Sequence, residues 1–174
     1  MKSTLYLFSL VFLLISCSSA KYSQTVDRVE IDKFMGKWYV IAGRFTFMEE
    51  GAHNAIEKYS WNEKEKYIDI DFHFRKDKFD GELKEIPQKA FIENTKTNAY
   101  WKVQPFWPLK FDYYVVALDK DYKWTAIGVP STKYLWIMHR DWKVSDEELK
   151  RIVKVVQEAK YPVEKIERLP QKWD

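Results

Sequence analysis

From residue 38 onward the chain is written in short runs that alternate apolar and polar positions. Tyr67-Ile68-Asp69-Ile70-Asp71-Phe72-His73-Phe74-Arg75 is the clearest of them. Ile68, Ile70, Phe72 and Phe74 face one side, and Asp69, Asp71 and His73 the other, the pattern of a strand with one dry and one wet face. Comparable runs at 38–44, 55–61, 89–93, 99–103, 111–118, 122–129 and 134–139 are separated by short polar stretches. Gln104-Pro105-Phe106-Trp107-Pro108 reads as a loop, because proline donates no hydrogen bond to a ladder. Regularly spaced short strands with tight turns predict an all-β antiparallel barrel or sandwich.

The period then changes. Ser145-Asp146-Glu147-Glu148 has the form of a capping box. Leu149, Ile152, Val153, Val156 and Ala159 follow as one helical stripe. Pro162 stops that helix, and residues 163–169 read as a final short strand.

Before the strands, Val29, Ile31, Phe34 and Met35 fit a short turn of helix that ends at Gly36, a residue free to take an unusual backbone angle. Trp38, Val40 and Ala42 share one face of the strand that follows, and Gly43 reads as the extra residue of a bulge. The first residues differ in kind. Lys2 and the apolar run 5–15 match a secretory leader, and the run falls short of the roughly 20 apolar residues a spanning helix needs.

Composition adds three constraints. At 174 residues, one domain with a full core is expected. Basic residues number 29 and acidic residues 26, mixed along the chain, so the net charge of +3 speaks for solubility and not for a nucleic-acid partner. Cys17 is the only cysteine, so no internal disulfide can form and the exported thiol needs another role.

These features together resemble the lipocalin family. Gly36-Lys37-Trp38-Tyr39 resembles its first motif. Leu118-Asp119-Lys120-Asp121-Tyr122 resembles the second, with Leu118 where many members have Thr, and Arg140 matches the third. Residues 112–119 and Tyr134-Leu135-Trp136-Ile137 look most like the bacterial outer-membrane lipocalins and apolipoprotein D. Leu14-Ile15-Ser16-Cys17 resembles the lipoprotein processing box. The resemblance implies an eight-stranded antiparallel up-and-down barrel with one C-terminal amphipathic helix and a final short strand. It implies a leader over 1–16, a lipidated tether over 17–28 and the barrel domain over 29–174. It also implies an acyl anchor on Cys17 and, from Ser18, placement on the periplasmic side of an outer membrane.

The same resemblance implies that Gly36, Trp38, Asp119, Tyr122 and Arg140 build the closed end, with Arg140 packed on Trp38. It implies a ligand pocket lined by Val40, Ala42, Phe72, Phe74, Ile92, Trp101, Val103, Tyr113 and Trp136. Phe106 and Trp107 would stand at its rim. The expected ligand is a fatty acid, a lysophospholipid or another small hydrophobic molecule, with no cofactor. Alternatives from the same residues are a lipocalin-type enzyme on an apolar substrate, marked by a titratable group inside the barrel, and a structural lipoprotein with a filled barrel. No candidate for such a group stands out. His53, His73 and His139 lack metal-ligand spacing, no Gly-x-Ser-x-Gly elbow is present, and Glu49, Glu50, Asp69 and Asp71 read as solvated surface.

Overall fold

The computed structural model describes residues 21–173. The leader and Cys17 lie outside the described residues. A short helix α1 (Ile31–Phe34) precedes eight strands: β1 (Gly36–Arg44), β2 (Ala52–Asn62), β3 (Tyr67–Lys76), β4 (Leu83–Ile92), β5 (Tyr100–Phe106), β6 (Leu109–Leu118), β7 (Trp124–Gly128) and β8 (Leu135–His139). Helix α2 (Asp146–Glu158) and a two-residue strand β9 (Glu167–Arg168) follow. Each strand pairs antiparallel with the next, β8 returns to β1, and β1 also pairs with β2, which closes the barrel. The all-β, eight-stranded barrel with one helix and a short last strand is thus the fold.

Two strands extend further than their sequence pattern implies. β4 begins at Leu83 and contains Pro87. Residues 83–88 pair with β3 alone, because β5 joins β4 only from Lys89 onward. On that unpaired edge a missing N–H costs nothing. β5 likewise runs through Pro105 to Phe106, with an irregularity in its pairing to β6 between Val103 and Phe106 that accommodates the proline. What reads as a loop at 104–108 is therefore a hairpin whose turn is only Trp107 and Pro108.

β1 and β2 stay paired only over Gly36 to Tyr39. Above that point they part, and the C-terminal segment fills the seam. β9 pairs with Ala42 and Gly43, and the Gln171 side chain donates to both Val40 and Ala55 carbonyls, at 2.8 and 3.0 Å. Asn54 holds Lys172 through both ends of its amide. The last strand is shorter than the 163–169 pattern implies, because Arg44 takes the carbonyls of Pro162 and Glu164 at 3.0 and 2.9 Å and turns that stretch off the sheet.

The bulge of β1 falls between Val40 and Ala42, not at Gly43. A one-residue slip reverses which face each later side chain takes. Ala42 now pairs with Ile137, which belongs to the layer beneath α2, and so turns out of the barrel. Gly43 is needed for a different reason: a Cβ there would lie 2.1 Å from the Leu135 carbonyl oxygen.

Helix α2 starts where Ser145 accepts from the Glu148 backbone N–H at 3.1 Å. Only half of the capping box forms, because the Glu148 carboxylate turns to Arg151 at 2.6 Å. Ile152 and Val156 are buried against Val116, Trp124, Leu135 and Ile137 on the outer wall, with Leu149 and Val153 half-buried beside them. Within the stretch expected as a lipidated tether, the chain is bonded to the barrel from Tyr22 on. Backbone bonds tie Tyr22 to Pro130, Val26 to Val115 and Val29 to Thr97, at 2.9, 2.9 and 2.7 Å. The segment thus descends from the open end of the barrel to its closed end.

Candidate functional site

The closed end is a plug. Gly36 has φ of +95°, which lets the chain turn from α1 into β1 with Arg140 close beside it. The Arg140 guanidinium carbon sits 3.6 Å from the centre of the Trp38 ring. Its nitrogens donate to the carbonyls of Lys33, Phe34, Met35 and Lys37 at 2.8 to 3.0 Å. The first three are orphan acceptors that a helix end leaves behind and the fourth opens β1, so one side chain caps α1 and covers the indole together. Asp119 organises the neighbouring turn by accepting from the Asp121 and Lys123 N–H groups. The Tyr122 hydroxyl accepts from the Glu30 N–H at 2.8 Å. Above them Phe34, Trp38, Tyr59 and Trp101 are fully packed, and the Trp101 and Tyr113 rings stack at 5.4 Å.

Over this plug the barrel holds a cavity of about 440 Å³ that opens at the opposite end. Sites for small molecules run roughly 300–1,000 Å³. Its wall is built by Ile70, Phe72, Ile86, Val103 and Tyr113, and its mouth by Phe47, Met48, Phe106, Phe111, Tyr134 and Trp136. Of the residues proposed from sequence, Phe72, Val103, Tyr113 and Trp136 line it, with Phe106 at the rim. Val40, Ile92 and Trp101 belong to the interior core without lining the cavity, Phe74 packs on Phe72 at 5.5 Å, and Ala42 faces outward. Trp107 is 84% exposed and touches no part of the cavity wall.

Two carboxyl groups that read as surface, or passed without notice, belong to this cavity. Glu49 sits on a 3-10 turn (Phe47–Glu49) between β1 and β2 and is buried. It accepts from the Thr46 N–H and hydroxyl at 3.0 and 2.7 Å, and from the Trp136 indole at 2.7 Å. It therefore fastens the turn over the mouth. Burial raises its pKa, and those three donors hold the rise back.

Glu57, on β2, lies deeper. It is only 6% exposed. The Tyr59 hydroxyl donates to it, and the Tyr59 and Tyr113 hydroxyls bond to each other. Burial pushes the Glu57 pKa up to about 7; the Tyr59 bond opposes the rise, the Glu49 charge adds to it, and the Tyr113 hydroxyl opposes it again. None of the described ion pairs includes Glu57 or Glu49. The sequence did carry a signal: Ala55, Glu57, Tyr59 and Trp61 share one strand face by period two, and that face is the inward one.

Lys21 lines the mouth, and the two basic residues of the neighbouring β5–β6 hairpin are engaged elsewhere. Lys102 pairs with Asp112 at 2.6 Å on the outer wall, and Lys110 lies 3.8 Å from the Phe91 ring centre. Among the described residues no group of three or more His, Cys, Asp or Glu is placed to hold a metal ion. Asp71 and His73 face a shallow groove outside the barrel, together with Arg75, Phe79 and Trp173.

The mouth itself is apolar. Every large hydrophobic side chain that is exposed among the described residues belongs to this end: Phe47 and Met48 before β2, Phe79 between β3 and β4, Leu83 at the start of β4, and Phe106, Trp107, Leu109 and Phe111 on the β5–β6 hairpin. Exposed apolar side chains gathered at one end of a barrel mark a contact site.

A closed antiparallel barrel, plugged at one end and hollow with apolar walls at the other, is the architecture of a calyx for small hydrophobic ligands. Residues 29–171 match the profile of the Lipocalin-like domain, and the chain belongs to the lipocalin family. Among similar proteins are the outer membrane lipoprotein Blc of Escherichia coli (strain K12), 28% identical over 157 residues covering 88% of each chain. Temperature-induced lipocalin-1 of Arabidopsis thaliana is 26% identical over 169 residues, 87% of this chain and 84% of that one. In fold the chain is similar to insecticyanin from the tobacco hornworm Manduca sexta, with a TM-score of 0.65 at 15% identity, covering 88% of this chain and 85% of that one. Lobster apocrustacyanin A1 gives 0.63 at 13% identity, over 82% and 79%. Proteins of this family generally bind and transport small hydrophobic molecules.

Proposed function

We propose that this chain is a membrane-tethered, non-enzymatic carrier that takes up one single-chain amphiphile in the cell envelope, with fatty acids and lysophospholipids as first candidates. The observation that carries the reading is the 440 Å³ cavity, walled by Ile70, Phe72, Ile86 and Val103 and opening through the apolar collar. An acyl tail lying along those walls gains roughly 25 cal/mol per Å² of apolar surface removed from water.

The similarity to outer membrane lipoproteins supports an anchor at Cys17, and the path of the chain gives that anchor a direction. Lys21 lines the mouth, and Tyr22 is bonded to Pro130 there. Only three residues separate Cys17 from Lys21, a span of at most about 14 Å when extended. An acyl group on Cys17 would hold the open end, not the plug, toward the bilayer. Phe47 and Trp107, more than four-fifths exposed, would then meet the interface where an aromatic ring is favourable.

The cavity reading is tested with a neutral apolar fluorophore, N-phenyl-1-naphthylamine. The protein is expected to bind it with one-to-one stoichiometry. Val103→Trp, which fills the middle of the cavity, is expected to weaken binding by at least about tenfold while circular dichroism still reports the barrel. Undiminished binding by that variant would move the ligand site out of the calyx.

A further inference from the structure

The floor of the cavity does not suit the head of a fatty acid. Glu57 reaches the cavity from β2, and Glu49 lines it from the turn above. Tyr59 on its own strand and Tyr113 on β6 are the other titratable groups facing Glu57. Arg140, under the plug, spends its donors on backbone carbonyls and makes no described contact with either carboxyl. The cavity thus carries two buried acidic side chains, with Lys21 and the Lys102-paired Asp112 as the other charged residues of its lining, and none of the described ion pairs neutralises Glu57 or Glu49. A carboxylate or phosphate pushed to this floor would meet like charge in surroundings of low dielectric. An apolar tail end would leave the Glu57 carboxyl without any partner for its remaining acceptor capacity.

A group that is cationic and donates hydrogen bonds meets neither objection. We propose that the calyx binds amphiphilic amines head-inward, with the protonated nitrogen on Glu57 and the apolar body along Phe72, Ile70 and Val103. The Tyr113 hydroxyl completes the polar floor, and the stacked Trp101–Tyr113 pair beneath it keeps the site rigid. This rests on the cavity being a ligand site, and it adds a ligand class that enters in the opposite sense to a fatty acid, whose head stays at the mouth. Burial holds the empty carboxyl near its half-ionised point around neutral pH, so an arriving ammonium completes an ionisation that the empty site resists.

The test is a displacement series on the full chain, kept in solution by an amphipathic polymer because detergent would compete for the cavity. Decylamine, decanol and decanoate share one tail and differ in head. Each is titrated against bound N-phenyl-1-naphthylamine. Decylamine is expected to displace the fluorophore at a concentration at least about tenfold below that of decanoate. In Glu57→Gln the ratio of amine to alcohol affinity is expected to fall by a similar factor. Equal or better binding of decanoate by the wild type would overturn the proposal while leaving the calyx as a ligand site, as would an unchanged ratio in the variant. Failure of the fluorophore to bind at all would overturn both readings. A second arm needs no variant: wild-type affinity for decylamine should rise between about pH 6 and about pH 8, where the amine stays protonated and Glu57 ionises, while that for decanol does not. A flat amine response would overturn the proposal as well.

Discussion

Substituting Glu57 by Gln should stabilise the protein increasingly as the pH rises above about 4.5. The folded state holds this carboxyl with a pKa of about 7 against 4.5 for the free side chain. Between those values the unfolded chain has released the proton and the folded chain keeps it. The unfolded state binds fewer protons, so raising the pH draws the equilibrium toward it. Stability from this group is therefore intact below about pH 4.5, is lost progressively up to about pH 7, and changes no further above that. At about 1.4 kcal/mol per pH unit the loss approaches roughly 3 kcal/mol. Gln keeps the shape and accepts the Tyr59 hydrogen bond without carrying charge. The difference between variant and wild type should grow from near zero at about pH 4 to roughly 3 kcal/mol at about pH 8. For a domain of this size that is a gain of roughly 6–12 °C in Tm. Urea denaturation of both proteins across this range, with the difference plotted against pH, is the measurement. Glu49 shifts in the same direction, but it is present in both proteins and cancels. Two stability curves that run parallel from acid to neutral pH would mean that Glu57 is hydrated and ordinary, and would remove the basis for a charged floor.

Two further outcomes are expected. Arg140→Ala should cost roughly 2–4 kcal/mol in chemical denaturation, since it uncovers the Trp38 ring and removes a donor from four carbonyls at the end of α1 and the start of β1, of which Phe34 keeps the Trp38 indole N–H; Arg140→Lys should recover little, because an ammonium cannot reach that set in one plane. Cys17→Ala should abolish incorporation of labelled palmitate and release the chain from the membrane fraction, and equal labelling of the variant would end the lipoprotein reading.

Much of the barrel was legible in the sequence because a strand with one wet face prints its period directly. Ile68 to Phe74 show this, as does the switch to helical spacing at Ser145. The edges were less legible. Pro87 and Pro105 argue against strand wherever both sides of a strand are paired, and neither proline sits in such a place. Their exemption comes from the seam between β4 and the neighbouring strand and from the irregular pairing at the rim, which are properties of the closed sheet and not of the local run. The same holds for Ala42. Its face follows from Trp38 and Val40 only if no residue is inserted between, and the bulge at Ile41 has no mark of its own in an unbroken apolar run.

The polar floor was hidden for another reason. Periodicity divides a strand into two faces but leaves open which one is dry, and the apolar majority is taken to decide. Along 55–61 one face reads Ala55, Glu57, Tyr59, Trp61 and the other Ile56, Lys58, Ser60. A glutamate on the more aromatic face looks like a solvated exception. It becomes something else only when β6 brings Tyr113 across the barrel to the Tyr59 hydroxyl and the loop before β2 folds Glu49 over the mouth. Those partners are 54 and 87 positions apart in the chain. Burying a carboxyl among aromatic rings without a cation is costly, and the same cost could have been avoided by any apolar side chain of that volume at position 57. On the head-inward proposal, an incoming ammonium would supply the charge that this carboxyl lacks.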